Sequence, residues 1–333
     1  MPFGFSAPRS RTSPTRRLEP VGPVGEALPH PITGEPFTSP VPPGSGWPGD
    51  PASARTPRAR TPADVVRLAE RATLAQVDAR SSVCSACPRL VSWREDVART
   101  KRRAFADQPY WGRPAASLGD PEPTLLIVGL APAAHGANRT GRMFTGDRSG
   151  DWIFAALHRA GYATQGTSVA AGDGLELHGA RMVATVRCAP PDNKPTPDEK
   201  HACAPWLHRE LDLLSDGLTA ILALGGIAWQ ATFAALSDLG WGIPRPRPSF
   251  GHGVTARVTT PGAPATTSGA RATGPGRNGS GGREIAVVGS YHVSQQNTFT
   301  GRLTEAMLDD VLARCRDGSG GAQSHTADGV DPL

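Results

Sequence analysis

The sequence predicts an α/β fold in which helices cover both faces of a central, mostly parallel, four-stranded sheet. Two observations support this prediction. Short apolar runs of strand length alternate with longer stretches of helical periodicity. Two of the helical stretches open with Thr-Pro and an acidic residue, which is typical of a helix start. Strands that alternate with helices in this way form a three-layer α/β/α architecture.

Gly and Pro are unevenly distributed along the chain and define its domain organisation. The chain has 333 residues, of which 39 are Gly and 33 are Pro. They concentrate in residues 1–60, 260–283 and 317–333, which are also rich in Ser, Thr or Arg. Such segments bury too little apolar surface to offset the entropy lost on ordering, so all three are predicted to be disordered. The remaining chain is predicted to form one domain, residues 61–316, with a disordered insertion.

The elements of this domain follow from start signals and apolar runs. Thr61 and Thr196 each precede a Pro and stand three residues before an acid, which places helix starts there. The apolar runs have strand length, and each is followed by a turn or a polar segment. The predicted strands are 124–129, 181–186, 219–224 and 284–289, and the predicted helices are 61–80, 90–105, 150–160, 196–215, 225–239 and 301–315.

A long polar loop follows the first predicted strand and ends near Asp151. In open α/β sheets, ligands bind at the carboxyl ends of the strands, and connections between elements are usually short. The loop therefore predicts a functional site, and a solvated connection is the alternative. Its candidate chemical groups are His135, Asn138, Phe144 and Asp147.

Charge and hydropathy exclude some classes of protein. The formal net charge is +5, and seven Arg against four acidic residues place +3 of it within the first 60 residues. A strongly basic domain is therefore absent, although Arg139 and Arg142 lie within the polar loop. There is no apolar run of membrane-spanning length and no apolar N-terminal stretch of the signal-peptide type. We expect a cytoplasmic protein.

Four of the five cysteines have a spacing that suits a metal site. Cys84 and Cys87 form a C-x2-C pair, and Cys188 and Cys203 follow far downstream, whereas Cys315 is expected to be an ordinary buried thiol. Structural disulfides are rare in the cytoplasm. Four thiolates suit either a tetrahedral zinc ion or a [4Fe–4S] cluster, and the spacing does not choose between them.

Four motifs taken together resemble the type-5 (B-type) uracil-DNA glycosylases. They are CSACPRLVSWRE, GLAPAAHGANRTGRMFTGD, VRCAPPDNKPTP and GSYHVSQQN, spread over residues 82–316. The resemblance implies the uracil-DNA glycosylase fold. It also implies a structural [4Fe–4S] cluster in preference to zinc, held by Cys84, Cys87, Cys188 and Cys203.

The resemblance further implies a monofunctional enzyme that flips uracil out of double-stranded DNA and hydrolyses its N-glycosidic bond. Because the base leaves as an anion, the site needs an aromatic platform, hydrogen-bond donors and a placed water. Phe144 is expected to stack on the base, and His292 to donate to a departing oxygen. The backbone amides near Gly129 and Ala131 are expected to contact the base or hold the water.

Two assignments stay open at this point. Other uracil-DNA glycosylases carry a carboxylate where this chain has Ala131, so either Asn138 or Asp147 is expected to place the water, and Asp147 could equally cap the next helix. The second strand reads Val-Ala-Thr at residues 183–185 and lacks the Asn that reads uracil in related enzymes, which leaves Asn193 as the candidate. A pocket without that Asn should discriminate less, so we expect hypoxanthine and other deaminated bases to be substrates too.

The expected partner is double-stranded DNA that contains such bases, bound by a monomer at the nucleoid. Arg139 and Arg142 are then candidates for contacts to phosphates. One alternative is a non-catalytic nucleic-acid-binding protein with an iron–sulfur cluster or zinc on the same fold. Another is a small-molecule enzyme, such as a nucleoside hydrolase.

Overall fold

The computed structural model describes residues 25–262 and 282–316. The predictions of disorder for residues 1–24, for 263–281 of the insertion and for 317–333 lie outside the described residues. No helix in the two described ranges is long and apolar enough to cross a membrane.

The described chain alternates between strands and helices in most of its length, as predicted. Its strands are β1 (Leu28–Pro29), β2 (Pro36–Phe37), β3 (Leu118–Gly119), β4 (Leu125–Gly129), β5 (Ala180–Ala184), β6 (Ala220–Leu224), β7 (Thr255–Thr259) and β8 (Glu284–Ser290). Its α-helices are α1 (Pro62–Ala69), α2 (Leu74–Ser81), α3 (Pro88–Thr100), α4 (Ala137–Thr140), α5 (Arg148–Arg159), α6 (Pro197–Leu214), α7 (Gly226–Asp238), α8 (Gln295–Phe299) and α9 (Glu305–Arg316).

Six of these strands form one sheet in the order β3-β5-β4-β6-β8-β7. The four central strands are parallel and correspond to the four predicted ones. The mostly parallel sheet is therefore confirmed, but the count of four is wrong, because β3 and β7 add antiparallel edges. Strand β3 has only two residues, and β7 alternates exposed or half-buried polar side chains with buried Ala256 and Val258. Neither has the continuous apolar run by which buried parallel strands are recognised.

Helices cover both faces of the sheet, as the three-layer prediction requires. Neighbouring residues of β6 show the two sides, because successive side chains of a strand point to opposite faces. Leu222 packs in the core that contains residues of α5 and α9. Ile221 packs in the core that contains residues of α6 and α7.

Two predicted helices have different bounds in the structure. The stretch predicted as one helix from residue 61 to 80 is two helices, because Thr73 forms a second capping box with Gln76 at the start of α2. Helix α3 ends at Thr100 rather than near residue 105, since Lys101 has a left-handed backbone with φ of 55°. The capping box of Thr196 starts α6 as expected.

The N-terminal segment was predicted to be disordered, and for residues 25–60 this prediction is wrong. Phe37, Val41 and Trp47 are buried in one cluster with Trp111 of the domain. Asp50 also accepts two hydrogen bonds from a buried arginine of the domain, at 2.8 and 2.9 Å. A few large side chains thus anchor a segment whose average composition suggests disorder.

A buried ionic network connects β5 with α2 and α6. Glu210 of α6 is fully buried, and its carboxylate accepts hydrogen bonds from Arg181, at 2.9 Å, and from Arg187. Arg181 also pairs with Asp78 of α2 at 2.7 Å. Burial alone would raise the pKa of Glu210, but Arg187 and Arg181 hold it below its ordinary value. Removing one partner would leave a buried charge uncompensated, which is strongly destabilising.

Candidate active site

The carboxyl ends of the four parallel strands lie along one edge of the sheet and carry the predicted site. Strand β4 ends at Gly129, and the chain crosses from it to β5 on one side. Strand β6 ends at Leu224, and the chain crosses from it to β8 on the other side. Neighbouring strands whose connections leave in opposite directions form a crevice at that edge, where ligands bind in α/β sheets.

An aromatic residue and a histidine meet in this crevice. The rings of Phe144, in the loop after β4, and His292, in the loop after β8, have centroids 6.3 Å apart and planes tilted by 36°. A Cβ at Gly129 would lie 3.3 Å from Cζ of Phe144, so the ring rests on the end of β4. A Cβ at Gly225 would lie 3.5 Å from Cβ of His292. The structure therefore brings Gly129, Phe144 and His292 together.

Both side chains have features that suit a binding site. Phe144 has φ of 50°, a left-handed conformation that is costly for a bulky residue and is concentrated at functional sites. Burial lowers the pKa of His292, which favours the neutral imidazole. A neutral imidazole has one N–H to donate and carries no charge. Asn297 Nδ2 donates to the carbonyl of His292 at 2.8 Å and holds its loop.

A cleft of about 850 Å³ lies between the loops that carry this pair. Asp147, three residues beyond Phe144, and Ser294, two residues beyond His292, both line it. Asn193 also lines it, so the structure places two predicted site residues, Asp147 and Asn193, on one surface. Asn193 is exposed and has φ of 56°. The arginines that line the cleft are Arg102, Arg139 and Arg148.

Asp147 is fixed in orientation at the cleft. It is the N-cap of α5, and its Oδ1 accepts a hydrogen bond from Gly150 N at 3.0 Å. Its Oδ2 lies against Gly136, where a Cβ would overlap this oxygen. Burial raises the pKa of Asp147 above its ordinary value. Asp147 therefore caps α5 and also faces the cleft.

Of the predicted site residues, Gly129, Ala131, Asn138, Phe144 and His292 are not among those that line this cleft. Asn138 is 1% exposed, and its Nδ2 donates to the carbonyls of Arg94, at 3.1 Å, and Ala134, at 3.4 Å. Its buried Oδ1 has no hydrogen-bond partner among the described residues. Ala131 packs against the cluster that contains Cys188. Asn138 and Ala131 both belong to the polar loop between β4 and α5, called the active loop from here on; Asn138 contacts α3 and Ala131 contacts the cluster with Cys188.

Arg139 and Arg142 of the active loop both form bonds to other groups of the protein. Arg142 forms an ion pair with Asp173 at 2.7 Å, and the two side chains are 11% and 7% exposed. This pairing counts against the interpretation of Arg142 as a phosphate contact, which stays a prediction. Arg139 is 5% exposed and donates to the carbonyls of His135 and Gly146 at 2.9 and 2.8 Å. The partners of the two arginines depend on the tertiary structure, so they could not be predicted from the sequence of the loop.

The four cysteines with metal-site spacing line one cavity in the structure. They are Cys84, Cys87, Cys188 and Cys203. Burial, and then the proximity of Cys188, raises the pKa of Cys84 to about 11 and that of Cys87 to about 12. The described ranges contain no set of three or more His, Cys, Asp or Glu placed to hold a single metal ion. Cys315 is buried in the core beside α9, as expected.

Hydrogen-bond donors point at two of these sulfur atoms. Nη1 of Arg94 lies 3.1 Å from Sγ of Cys188, and the backbone N of Arg187 lies 3.4 Å from Sγ of Cys203. Nε of Arg94, whose side chain also lines the cavity, is buried without a partner among the described residues. N–H groups directed at sulfur are the surroundings that thiolate-held clusters have in proteins.

Comparison with known protein families identifies the fold. The family model described as "Uracil DNA glycosylase superfamily" matches residues 116–316, more than half of the chain. The chain belongs to this superfamily. The mostly parallel sheet between two helical layers is the uracil-DNA glycosylase fold that the motifs implied.

Within the superfamily, the chain is similar to curated type-5 uracil-DNA glycosylases. It is 53% identical to that of Mycobacterium tuberculosis (strain CDC 1551 / Oshkosh) over 288 residues, which are 86% of this chain and 97% of the relative. It is 45% identical to that of Thermus thermophilus over 71% of this chain and 93% of the relative. It is 38% identical to that of Pyrobaculum aerophilum over 71% of this chain and 89% of the relative. The resemblance to the type-5 members is confirmed.

Proposed function

We propose that this protein is a monofunctional DNA-repair glycosylase that hydrolyses the N-glycosidic bond of uracil in double-stranded DNA. The observation that carries the proposal is the pair of Phe144 and His292 in the crevice of the sheet, beside a cleft with a fixed carboxylate. The names of its relatives support the same activity. The protein would act as a monomer at the nucleoid.

The chemistry follows from the positions of the two rings. A base taken out of the duplex stacks on Phe144, as flipped bases do on aromatic side chains. As the glycosidic bond breaks, negative charge develops on the carbonyl oxygens of the departing base. The N–H of a neutral His292 then donates to one of these oxygens. A donor that is fixed in a water-poor site stabilises such charge strongly, and removing one costs about 10²–10³ in rate.

We assign the placement of the water to Asp147 rather than to Asn138. Asp147 lines the cleft, and Gly150 and Gly136 fix its two oxygens. Nδ2 of Asn138 already donates to two backbone carbonyls, so only its buried Oδ1 is left to meet a water. Asn138 would then hold the active loop against α3, and an unionised amide could not polarise water as a carboxylate does.

The enzyme should accept a broad range of deaminated bases, including hypoxanthine. At the end of β5, the hydroxyl of Thr185 donates to the carbonyl of Leu130 at 2.8 Å and is therefore not free to read a base. Asn193 is the remaining amide on the cleft, and it is exposed. Strong rejection of analogues requires buried polar groups that the wrong base leaves unpaired.

We further propose that the four cysteines hold a [4Fe–4S] cluster, with zinc as the alternative. Four thiols line one cavity, and N–H groups point at the sulfur atoms of Cys188 and Cys203. The cluster would supply a covalent cross-link between the segment before α3, the end of β5 and α6. Cys84 and Cys87 precede α3, Cys188 follows β5, and Cys203 lies in α6. No redox step is assigned to it.

Single-turnover excision assays with alkaline strand cleavage test the proposed activity. Duplexes containing U·G, hypoxanthine·T and T·G would be compared, with wild-type protein and the variants His292→Ala and His208→Ala. His208 is a half-buried histidine of α6 whose Nε2 lies 3.5 Å from Asp238 of α7, so it serves as a matched control. We expect scission at uracil and hypoxanthine, a loss of about 100-fold or more in His292→Ala, and none in the control. A band shift without scission would support the non-catalytic alternative. Activity confined to uracil would contradict the broad range.

A further inference from the structure

The cleft has lining residues that belong to none of the four motifs. Pro31 comes from the N-terminal arm, defined as residues 25–60, and Val169 from the connection between α5 and β5. This connection, the 163–177 loop, is closed at its base by an antiparallel bridge between Ala163 and Leu177. Two segments that are far apart in the sequence thus contribute to the cleft, and the proposed mechanism uses neither of them.

The arm and the loop form one continuous wall. Ala171 of the loop is buried in the same cluster as Phe37 and Trp47 of the arm. A Cβ at Gly172 would lie 3.0 Å from Cβ of Pro48, so the two backbones approach closely there. The two segments therefore pack as one unit.

This wall is bonded to the active loop at several points. The ion pair between Arg142 and Asp173 joins the two loops at 2.7 Å. Gly146 N donates to the carbonyl of Ser168 at 2.8 Å, directly beside Asp147. From the arm, Nε1 of Trp47 donates to the carbonyl of Thr140 at 3.3 Å. These bonds fix the wall relative to the catalytic carboxylate.

The wall carries two exposed apolar side chains. Val169, which lines the cleft, is 58% exposed, and Ile32, next to the cleft-lining Pro31, is 44% exposed. Their backbones are held in place, because Val169 N donates to Asp173 at 2.8 Å and Ile32 N donates to His30 at 3.3 Å. Fixed apolar side chains at a cleft of this kind are suited to packing on sugars or wedging between base steps, as Ile and Pro do in proteins that bend DNA.

We propose that the N-terminal arm and the 163–177 loop form a second DNA-contacting wall, in which Ile32 and Val169 pack on the duplex beside the extruded nucleotide. The inference rests on the proposed function and deepens it. The exposed Arg102, which lines the same cleft, would contact a phosphate of the same strand. Because the wall is fixed to the active loop, it would position the base pairs that flank the extruded nucleotide relative to Asp147. Only a duplex contains such base pairs.

The test compares full-length variants for binding to a fluorescent duplex that contains one tetrahydrofuran abasic-site analogue, and to the corresponding single strand. The double variant Ile32→Asp/Val169→Asp is matched by Val66→Asp. Val66 is 56% exposed on α1 and does not line the cleft, so the control adds the same kind of charge to the surface elsewhere. All three positions are exposed, and a cooperative unfolding transition would verify that each variant is folded.

We expect the double variant to bind the duplex about 10-fold more weakly or worse, and Val66→Asp to change binding by less than about 2-fold. Binding to the single strand should change by less than about 2-fold in both the double variant and Val66→Asp. The uncharged Ile32→Thr/Val169→Thr variant should lose part of the duplex affinity. Unchanged duplex binding, an equal loss in Val66→Asp, or an equal loss on single strands would overturn the proposal. If the wild-type protein binds the duplex but excises no base, the proposed function is refuted. The comparison of duplex binding between the variants would still test the wall.

Discussion

The position of the Asp147 carboxylate can be perturbed without changing Asp147 itself. Its Oδ2 lies against Gly136, where a Cβ would overlap this oxygen and lie 3.0 Å from Cγ. In a Gly136→Ala variant the carboxylate must retreat by about 1 Å, and a misplacement of that size costs about 100-fold in rate, or about 2.7 kcal/mol of activation free energy. We expect single-turnover excision of uracil to slow by that factor.

The control for this variant is Gly217→Ala, in the turn between α6 and β6. A Cβ at Gly217 would have its nearest neighbour at 3.4 Å, which is an ordinary contact. It should leave the rate unchanged, and urea unfolding would check that both variants are folded. Asp147→Asn, which keeps the shape of the side chain, should lose at least as much activity as Gly136→Ala. A folded Gly136→Ala enzyme that excises uracil at the wild-type rate would refute the reasoning.

Three further predictions concern pH, the cysteines and stability. The carboxylate of Asp147 is the active form and burial raises its pKa, so excision should slow as pH falls through that pKa; a pH–rate profile should lose this acid limb in Asp147→Asn. Anaerobically purified Cys188→Ala should lack the visible absorbance of an iron–sulfur cluster, whereas Cys315→Ala should keep it. Glu210→Gln should lower the free energy of unfolding by about 3–5 kcal/mol, because two buried arginines each lose a carboxylate, although Arg181 keeps Asp78. Asp212→Asn, at an exposed pair, should lower it by less than about 1 kcal/mol, and urea denaturation would measure both.

The parallel strands could be predicted because burial on both faces makes most of each strand apolar; Arg181 of β5 is an exception and is buried through its ion pairs. The residues of β4, β5 and β6 are all buried. The edge strand β7 could not be recognised in this way, since its half-exposed residues stand beside a Gly- and Pro-rich insertion. The arm was missed for a related reason. Disorder was inferred from average composition, whereas Phe37 and Trp47 act as individual anchors.

At the candidate site, sequence reasoning identified chemical groups but not their surroundings. Phe144 and His292 could be paired in advance, because each lies in a loop after a parallel strand and such loops meet at one edge. The choice between Asn138 and Asp147 depends on a contact with Arg94, which lies 44 residues earlier in the chain. Local spacing contains no information on such contacts.

The contacts of Arg94 also explain how a structural cluster can matter for hydrolysis. Nη1 of Arg94 lies 3.1 Å from Sγ of Cys188, and its carbonyl accepts a hydrogen bond from Asn138 of the active loop at 3.1 Å. Ala131, at the start of that loop, packs against the apolar cluster that contains Cys188. The active loop therefore contacts the surroundings of the cysteines at two points. Because a misplaced catalytic group costs more than most lost contacts, the proposed cluster would support excision through geometry alone, without accepting an electron.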